Sequence, residues 1–356
     1  MFADTLNEAR RQAEICNACR YCEGFCAVFP SLHSQRAFAD GDLTQMANLC
    51  HNCRGCYYAC QYTEPHEFAL NLPGILAEVR QESWDELAFP AAPARLFQRS
   101  GLAIALATTL GFAVLFALVR WLGTGEGAGF YAVLSHSVMV AIFLPAFLFP
   151  LLSIAVSLRR YWVMTGGTRV TLHDLTDALG AAANMRNLSG GAAEGCNFED
   201  EDRYSKSRKH AHHAVMYGFL LCFAATSVAT VLHYGFDMPA PYSIWSAPKL
   251  LGLIGGVLLL VGCLAMLALK SRADRALGDA RAYGGEVGFI GLLALVSATG
   301  LALYALGQTP LMPTLLALHL GSVLAFFLLT PYSKMAHGFY RMAALVRDAQ
   351  RKRTGQ

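Results

Sequence analysis

"CNACRYCEGFCAVFP", residues 16–30, carries four cysteines in the spacing C-x2-C-x2-C-x3-C, and "CHNCRGCYYACQYTEP", residues 50–65, repeats it. Cys16, Cys19, Cys22 and Cys26 make the first run; Cys50, Cys53, Cys56 and Cys60 make the second. Three thiolates on one tight loop can cap three irons of a cube, whereas the fourth iron faces away and takes its ligand from the other run. The pattern predicts two [4Fe–4S] clusters, one on Cys16, Cys19, Cys22 and Cys60, the other on Cys50, Cys53, Cys56 and Cys26. Structural zinc uses paired C-x2–4-C hooks and has no use for a third close thiolate. Disulfides are disfavoured in a reducing cytoplasm.

Between the runs, "SLHSQRAFADGDLTQMANL" lacks β-branched alternation and offers Asp42 as an N-cap before an apolar helical pattern. A helical rather than a compact β-type ferredoxin is expected. Proline departs from the usual position directly after the last cysteine, standing at Pro30 and Pro65. Cys196, Cys222 and Cys263 lie outside cluster spacing, and the two within spans, Cys222 and Cys263, read as small apolar residues.

The rest of the chain is of another kind. With 55% hydrophobic and 15% charged residues among 356, the composition is that of a membrane protein. Residues 1–15 are charged and lack the apolar core of a cleavable signal peptide. Uncharged stretches run 100–119, 127–158, 214–236, 250–269 and 287–333, against roughly 20 residues for one crossing. As one helix 287–333 would be about 70 Å long at ~1.5 Å per residue, so it folds back at "GQTPLMP", 307–313. Six spans follow, near 100–121, 131–157, 211–235, 246–269, 286–307 and 312–333. The expected fold is an all-α membrane protein: residues 1–95 a two-cluster ferredoxin-like domain, 96–340 a six-helix cytochrome b-like bundle with a loop at 158–210, and 341–356 a basic tail.

Cytoplasmic flanks collect Lys and Arg. Of the 28 basic residues, eight precede the first span, eight lie in 158–210, four in 270–285 and six from Lys334 onward, which leaves only Arg120 and Lys249 on the other side. Both termini are therefore expected in the cytoplasm, with the chain in the inner membrane of a bacterium. The net charge of +3 is too small to argue for nucleic acid, and "RKRTGQ" reads as an interfacial anchor.

Ionisable residues inside spans are functional candidates by default. "KHAHHAV", 209–215, opens the third span with His210, His212 and His213; His233 ends it; His319 lies in the sixth span and His337 follows it. On an ideal helix His319 and His337 share one face about 27 Å apart, His212 lies about 60° off the face of His233, and His213 about 160° off. Antiparallel spans then pair His233 with His319 near the outer end and His212 with His337 near the inner end, with His213 as the alternative to His212. Two b haems, each held by one imidazole from each of two helices, fit this pattern. Pro331 is placed to kink the last span. His136 is a lesser candidate, and His33, His51, His66 and His173 read as solvated or supporting residues. Lys249, the lone cation near the outer ends of spans three and four, is a candidate quinone contact. "GTGEGAG", 123–129, lies in a short outer loop and reads as a linker, and "GLIGG", 252–256, as a close helix–helix approach.

The last span, "LHLGSVLAFFLLTPYSKMAHGFYR" (318–341), resembles the final helix of the nitrate reductase gamma-type cytochrome b subunits. The whole order resembles the tricarballylate or citrate utilisation protein B family through both cysteine runs, "EGCNFEDED" (194–202), "HHAVMYGFLLCFAATSVATVLHY" (212–234) and "LTPYSKMAHGFYR" (329–341). That resemblance implies a partner, a soluble FAD-dependent tricarballylate dehydrogenase that hands its electrons to this chain. The expected role is electron transfer from that flavoprotein through the clusters and haem b to a membrane quinone, with quinone reduction the only catalysis of its own. Two other classes use the same residues: a redox module in another pathway, such as cobalamin ring synthesis, and a redox sensor or membrane anchor without turnover.

Overall fold

The computed structural model describes residues 2–122, 129–189 and 204–355. "EGCNFEDED" with its Cys196, and all but Gly129 of "GTGEGAG", lie outside the described residues. Among the described residues the regular structure is helical, with no strand, as the missing β-branched alternation predicts. The N-terminal region comprises α1 (Phe2–Cys19), α2 (Val28–His33), α3 (Asp40–Leu49), α4 (Gly55–Tyr58) and α5 (Leu72–Leu87). Asp42 is not the N-cap of α3. The helix begins two residues earlier, and the Asp42 carboxylate reaches back to accept the Ala39 amide. For α5 the cap is Asn71, whose Oδ1 accepts the Gly74 N–H at 3.0 Å while Pro73 opens the first turn.

A short helix α6 (Ala92–Arg99) meets α7 (Gly101–Leu122) at 105°. The long helices α8 (His136–Met164), α10 (Ser207–Phe236), α11 (Ala247–Arg272), α12 (Tyr283–Leu306) and α13 (Met312–Leu329) follow, with α9 (Leu172–Ala183) between α8 and α10, and α14 (Ala336–Thr354) closes the chain. Five segments are long and apolar enough to cross a membrane, or six if the bent α6–α7 pair counts as one. Large apolar side chains on these helices face outward, with Leu102 at 71% and Leu152 at 61% exposure. In water that surface would be a severe liability, and in lipid it is the expected covering. The chain is a multi-pass membrane protein.

Small residues set the closest helix contact. A Cβ added at Gly218 of α10 would lie 2.5 Å from the Leu259 amide nitrogen of α11, and one at Gly255 would lie 2.8 Å from the Cys222 nitrogen. Glycine at both positions lets the two backbones touch, which is the usual route to tight packing where lipid offers no hydrophobic driving force. Cys263 is fully buried nearby and Cys222 packs against the same cluster.

The last span is broken rather than continuous. α13 ends at Leu329, a 3-10 turn covers Thr330–Tyr332 around Pro331, and α14 starts at Ala336. Proline has no N–H to donate and its ring clashes with the preceding turn. His319 and His337 therefore sit on different helices, and the straight-helix phase between them does not apply.

Residues 341–355 are not a free tail in this fold. Tyr340, Ala344, Leu345 and Val346 of α14 join one core with Leu6 and Ala9 of α1, Leu43 and Met46 of α3, Trp84 of α5, Tyr161 of α8 and Ala178 of α9. Gln45 donates to the Ala344 carbonyl at 2.8 Å and accepts the Tyr161 hydroxyl at 2.5 Å. Arg351 pairs with Asp42 at 2.5 Å. The N-terminal region, the segment after α8 and the C-terminal helix thus share one end of the bundle.

Candidate functional site

The eight cysteines of the two runs line two neighbouring cavities. The larger, ≈ 240 Å³, is lined by Cys16, Cys19, Cys22 and Cys60, and also by Cys56, which the two cavities share. The smaller, ≈ 20 Å³, is bounded by Cys26, Cys50, Cys53 and Cys56. The last cysteine of each run therefore faces the cavity of the other. Left-handed backbone at Arg20, Asn52 and Arg54 (φ 57°, 50° and 66°) turns the chain sharply at these loops. Backbone amides of Asn52 and Tyr62 donate to the Cys50 and Cys60 sulfurs, each at 3.3 Å.

The donor set suits an iron–sulfur cluster. Among the described residues no three His, Cys, Asp or Glu side chains converge on a single-ion site; the sulfurs are spread around cavities instead. Burial, then repulsion from Cys60, Cys22 and Cys19, pushes the Cys16 thiol up to about 12. Burial, then Cys53 and Cys50, pushes Cys26 well above the usual thiol range, and burial, then Cys53, Cys26 and Cys50, does the same to Cys56. Thiols so crowded ionise only when bound metal takes up the charge.

The second cavity is anchored to the membrane helices. Arg80 of α5 and Arg341 of α14 both donate to the Cys50 carbonyl, at 2.9 and 2.7 Å. Arg208 of α10 donates to the Asn52 carbonyl at 2.9 Å. Asn52 Nδ2 reaches the Leu277 carbonyl at 2.6 Å, and an Arg54 guanidinium nitrogen reaches the Asp274 carbonyl at 2.8 Å. His51 lies within this collar, with its Nδ1 donating to the Leu49 carbonyl at 2.9 Å. Burial first, then the Arg341 and Arg208 charges, holds its pKa well below the ordinary histidine value.

One helical turn from Arg208 stands His212, and one turn before Arg341 stands His337. Their rings face each other with centroids 5.8 Å apart and planes at 84°. Imidazoles that share one metal ion each bind it at roughly 2 Å, and these two rings are near enough in the fold to serve as such a pair. His337 Nδ1 donates to the Lys334 carbonyl, which fixes the tautomer and leaves Nε2 as the free donor atom. Burial, then His212 and Lys334, keeps His337 neutral by lowering its pKa far below the ordinary value. His212 Nδ1 is buried without a hydrogen-bond partner. His213 packs on Tyr217 instead, at 5.7 Å.

At the other end of the bundle the geometry differs from the expected pairing. His233 stacks on His136, centroids 4.4 Å apart, too close for an iron between them. His136 Nε2 meets the Tyr234 hydroxyl at 2.8 Å, and Tyr131 lies edge-on to the same ring at 5.5 Å. His319 is half-buried against α12, its Nδ1 3.2 Å from the Thr299 hydroxyl. Among the described residues no ring contact or hydrogen bond joins His233 to His319. Lys249 Nζ sits over the Tyr304 ring at 4.7 Å. His33 lies 3.7 Å from Glu23, His66 Nδ1 accepts the Phe68 amide at 3.1 Å, and His173 is exposed.

Two features escaped the sequence reading. Glu286, at the start of α12, is clasped by the ammonium groups of Lys270 and Lys334; in the sequence these lysines mark topology alone. The other is the arginine collar. Its signal is the four-residue step repeated in opposite directions, Arg208 to His212 and His337 to Arg341, which puts each guanidinium on the face of its histidine.

Comparison with known proteins covers nearly the whole chain. Residues 9–86 match the family model described as Citrate utilization protein B Fer4-like domain, and residues 90–356 match that described as Citrate utilization protein B. A curated relative named Citrate utilization protein B, from Escherichia coli, is 41% identical over 355 residues, covering 98% of this chain and 93% of its own. No solved structure matches.

Proposed function

The chain belongs to the citrate utilization protein B family, and from that premise we propose that it carries electrons from a soluble FAD-dependent tricarballylate dehydrogenase to the membrane quinone pool. The N-terminal region is an iron–sulfur electron-transfer domain of a citrate or tricarballylate utilisation system. When bound, two [4Fe–4S] clusters and haem b each exchange single electrons.

The chain's own residues divide the work. Cys16, Cys19, Cys22 and Cys60 would hold the cluster nearer solvent, where Cys19 and Tyr21 are exposed to an incoming partner. Cys26, Cys50, Cys53 and Cys56 would hold the second, on the side of the membrane helices. His212 and His337 would ligate an inner haem through their ring nitrogens, with the Lys334 carbonyl steering His337. An outer haem on His233 and His319 would require His233 to leave the ring of His136, on which it stacks at 4.4 Å. Quinone, a hydrogen-bond acceptor at both carbonyls, would find donors at the outer end among His136, Tyr234 and Lys249. The positive-inside asymmetry supports a bacterial inner membrane with both termini in the cytoplasm.

The observation that carries the reading is the collar: Arg208 and Arg341, each one turn from a histidine of the facing pair, both bind the loop of the second cysteine cavity. An electron path from the cysteine loops into the bundle needs such proximity. The direct test is purification of the intact protein in detergent under anaerobic conditions, with iron, acid-labile sulfide and haem counted per chain. Sulfide of about eight per chain together with b haem is the expected result. Absence of sulfide would overturn the reading.

A further inference from the structure

We propose that Arg80, Arg208 and Arg341 make the site of Cys26, Cys50, Cys53 and Cys56 the stronger electron acceptor of the two cysteine sites, and so direct electrons inward toward the membrane. The inference rests on the iron–sulfur reading above. A four-thiolate cubane is an anion, and reduction makes it more negative by one charge without a proton. Fixed positive charge and hydrogen bonding nearby stabilise the added electron, which raises the reduction potential. The two sites differ sharply in this respect.

Three guanidinium groups converge on the backbone of Cys50 and Asn52, at 2.7 to 2.9 Å from its carbonyl oxygens. None of the three pairs with a carboxylate among the described residues, although ion pairs are common elsewhere in the fold. Arg80 is 8% exposed. Uncompensated charge in so enclosed a place acts over several ångströms with little screening. Among the described residues, the cavity of Cys16, Cys19, Cys22 and Cys60 is lined by apolar, tyrosine and glutamine side chains with no charged residue. Arg20, beside Cys19, is exposed, and water screens it. An electron donated at the solvent side, where a reduced flavin of the partner is the proposed reductant, therefore finds its lower free energy on the membrane side.

The test is an EPR-monitored redox titration of the full-length protein, reduced stepwise with dithionite. Arg80→Gln and Arg341→Gln should each shift the reduced-to-oxidised ratio of one cluster about tenfold toward oxidised at fixed ambient potential, 59 mV for a one-electron couple. The other cluster should titrate as before, with iron and sulfide content unchanged. Arg341→Lys keeps the charge and should retain most of the parent potential, which a purely structural role would not predict. Arg208→Gln, at a half-exposed position, serves as the variant least able to disturb folding, and it should shift the same cluster in the same direction. If all three glutamine variants keep both clusters and both midpoints, the inference is overturned while the iron–sulfur reading stands. A protein with no cluster signal at any potential overturns both.

Discussion

His212, near the start of α10, and His337, near the start of α14, bring their rings within 5.8 Å of one another with planes almost perpendicular. The pair exists because α10 and α14 both turn toward the same cysteine loop, and an arginine one turn from each histidine is bound to it.

His212→Ala and His337→Ala should therefore remove the same b-type haem, read as loss of one component in a potentiometric titration of the reduced-minus-oxidised spectrum. His213→Ala should leave that component in place, since its ring packs on Tyr217. Loss of the component in His213→Ala but not in His212→Ala would assign the ligand to the wrong face of α10.

The exchange of the last cysteines predicts which substitutions behave alike. Cys60→Ser should mimic Cys16→Ser, and Cys26→Ser should mimic Cys53→Ser, each pair losing the same EPR signal and about half of the iron while the spans still insert. Pairing within each run, with Cys26→Ser matching Cys16→Ser, would contradict the arrangement of the two cavities.

Trp84 tests whether α14 is part of the N-terminal core. It is 1% exposed, stacks on Tyr340 at 5.8 Å, and donates from Nε1 to Asn48 at 2.9 Å. Trp84→Ala should cost about 3–5 kcal/mol, the usual loss for a large aromatic core side chain, visible as a lower melting temperature in detergent with early release of iron. An unchanged melting temperature would mean that the C-terminal helix docks without sharing the core.

Much of this was legible because the signals are local. Cysteine spacing within eleven residues, and uncharged runs of span length, need no knowledge of distant contacts. The all-helical architecture, the fold-back at 307–313 and the tight packing at 252–256 follow from such signals, and the structure agrees with each. What escaped reading depends on tertiary neighbours. The phase between His319 and His337 assumed one helix, and Pro331 breaks it into two. His233 found His136 rather than His319 because the relative rotation of three helices is not written in any one of them. "RKRTGQ" reads as an interfacial anchor, yet Arg351 meets Asp42 and Arg353 meets Asp174, partners remote in the chain. The collar around Cys50 joins α5, α10 and α14, and only the folded chain brings them together.

The most direct measurement of the central claim is anaerobic reoxidation in liposomes: the purified protein is reduced with a limiting amount of dithionite, and a quinone is then added. The account predicts that the clusters stay reduced without quinone and reoxidise when it is present, at a rate that falls in His337→Ala while cluster content is unchanged. Clusters that remain reduced in the presence of quinone would contradict it.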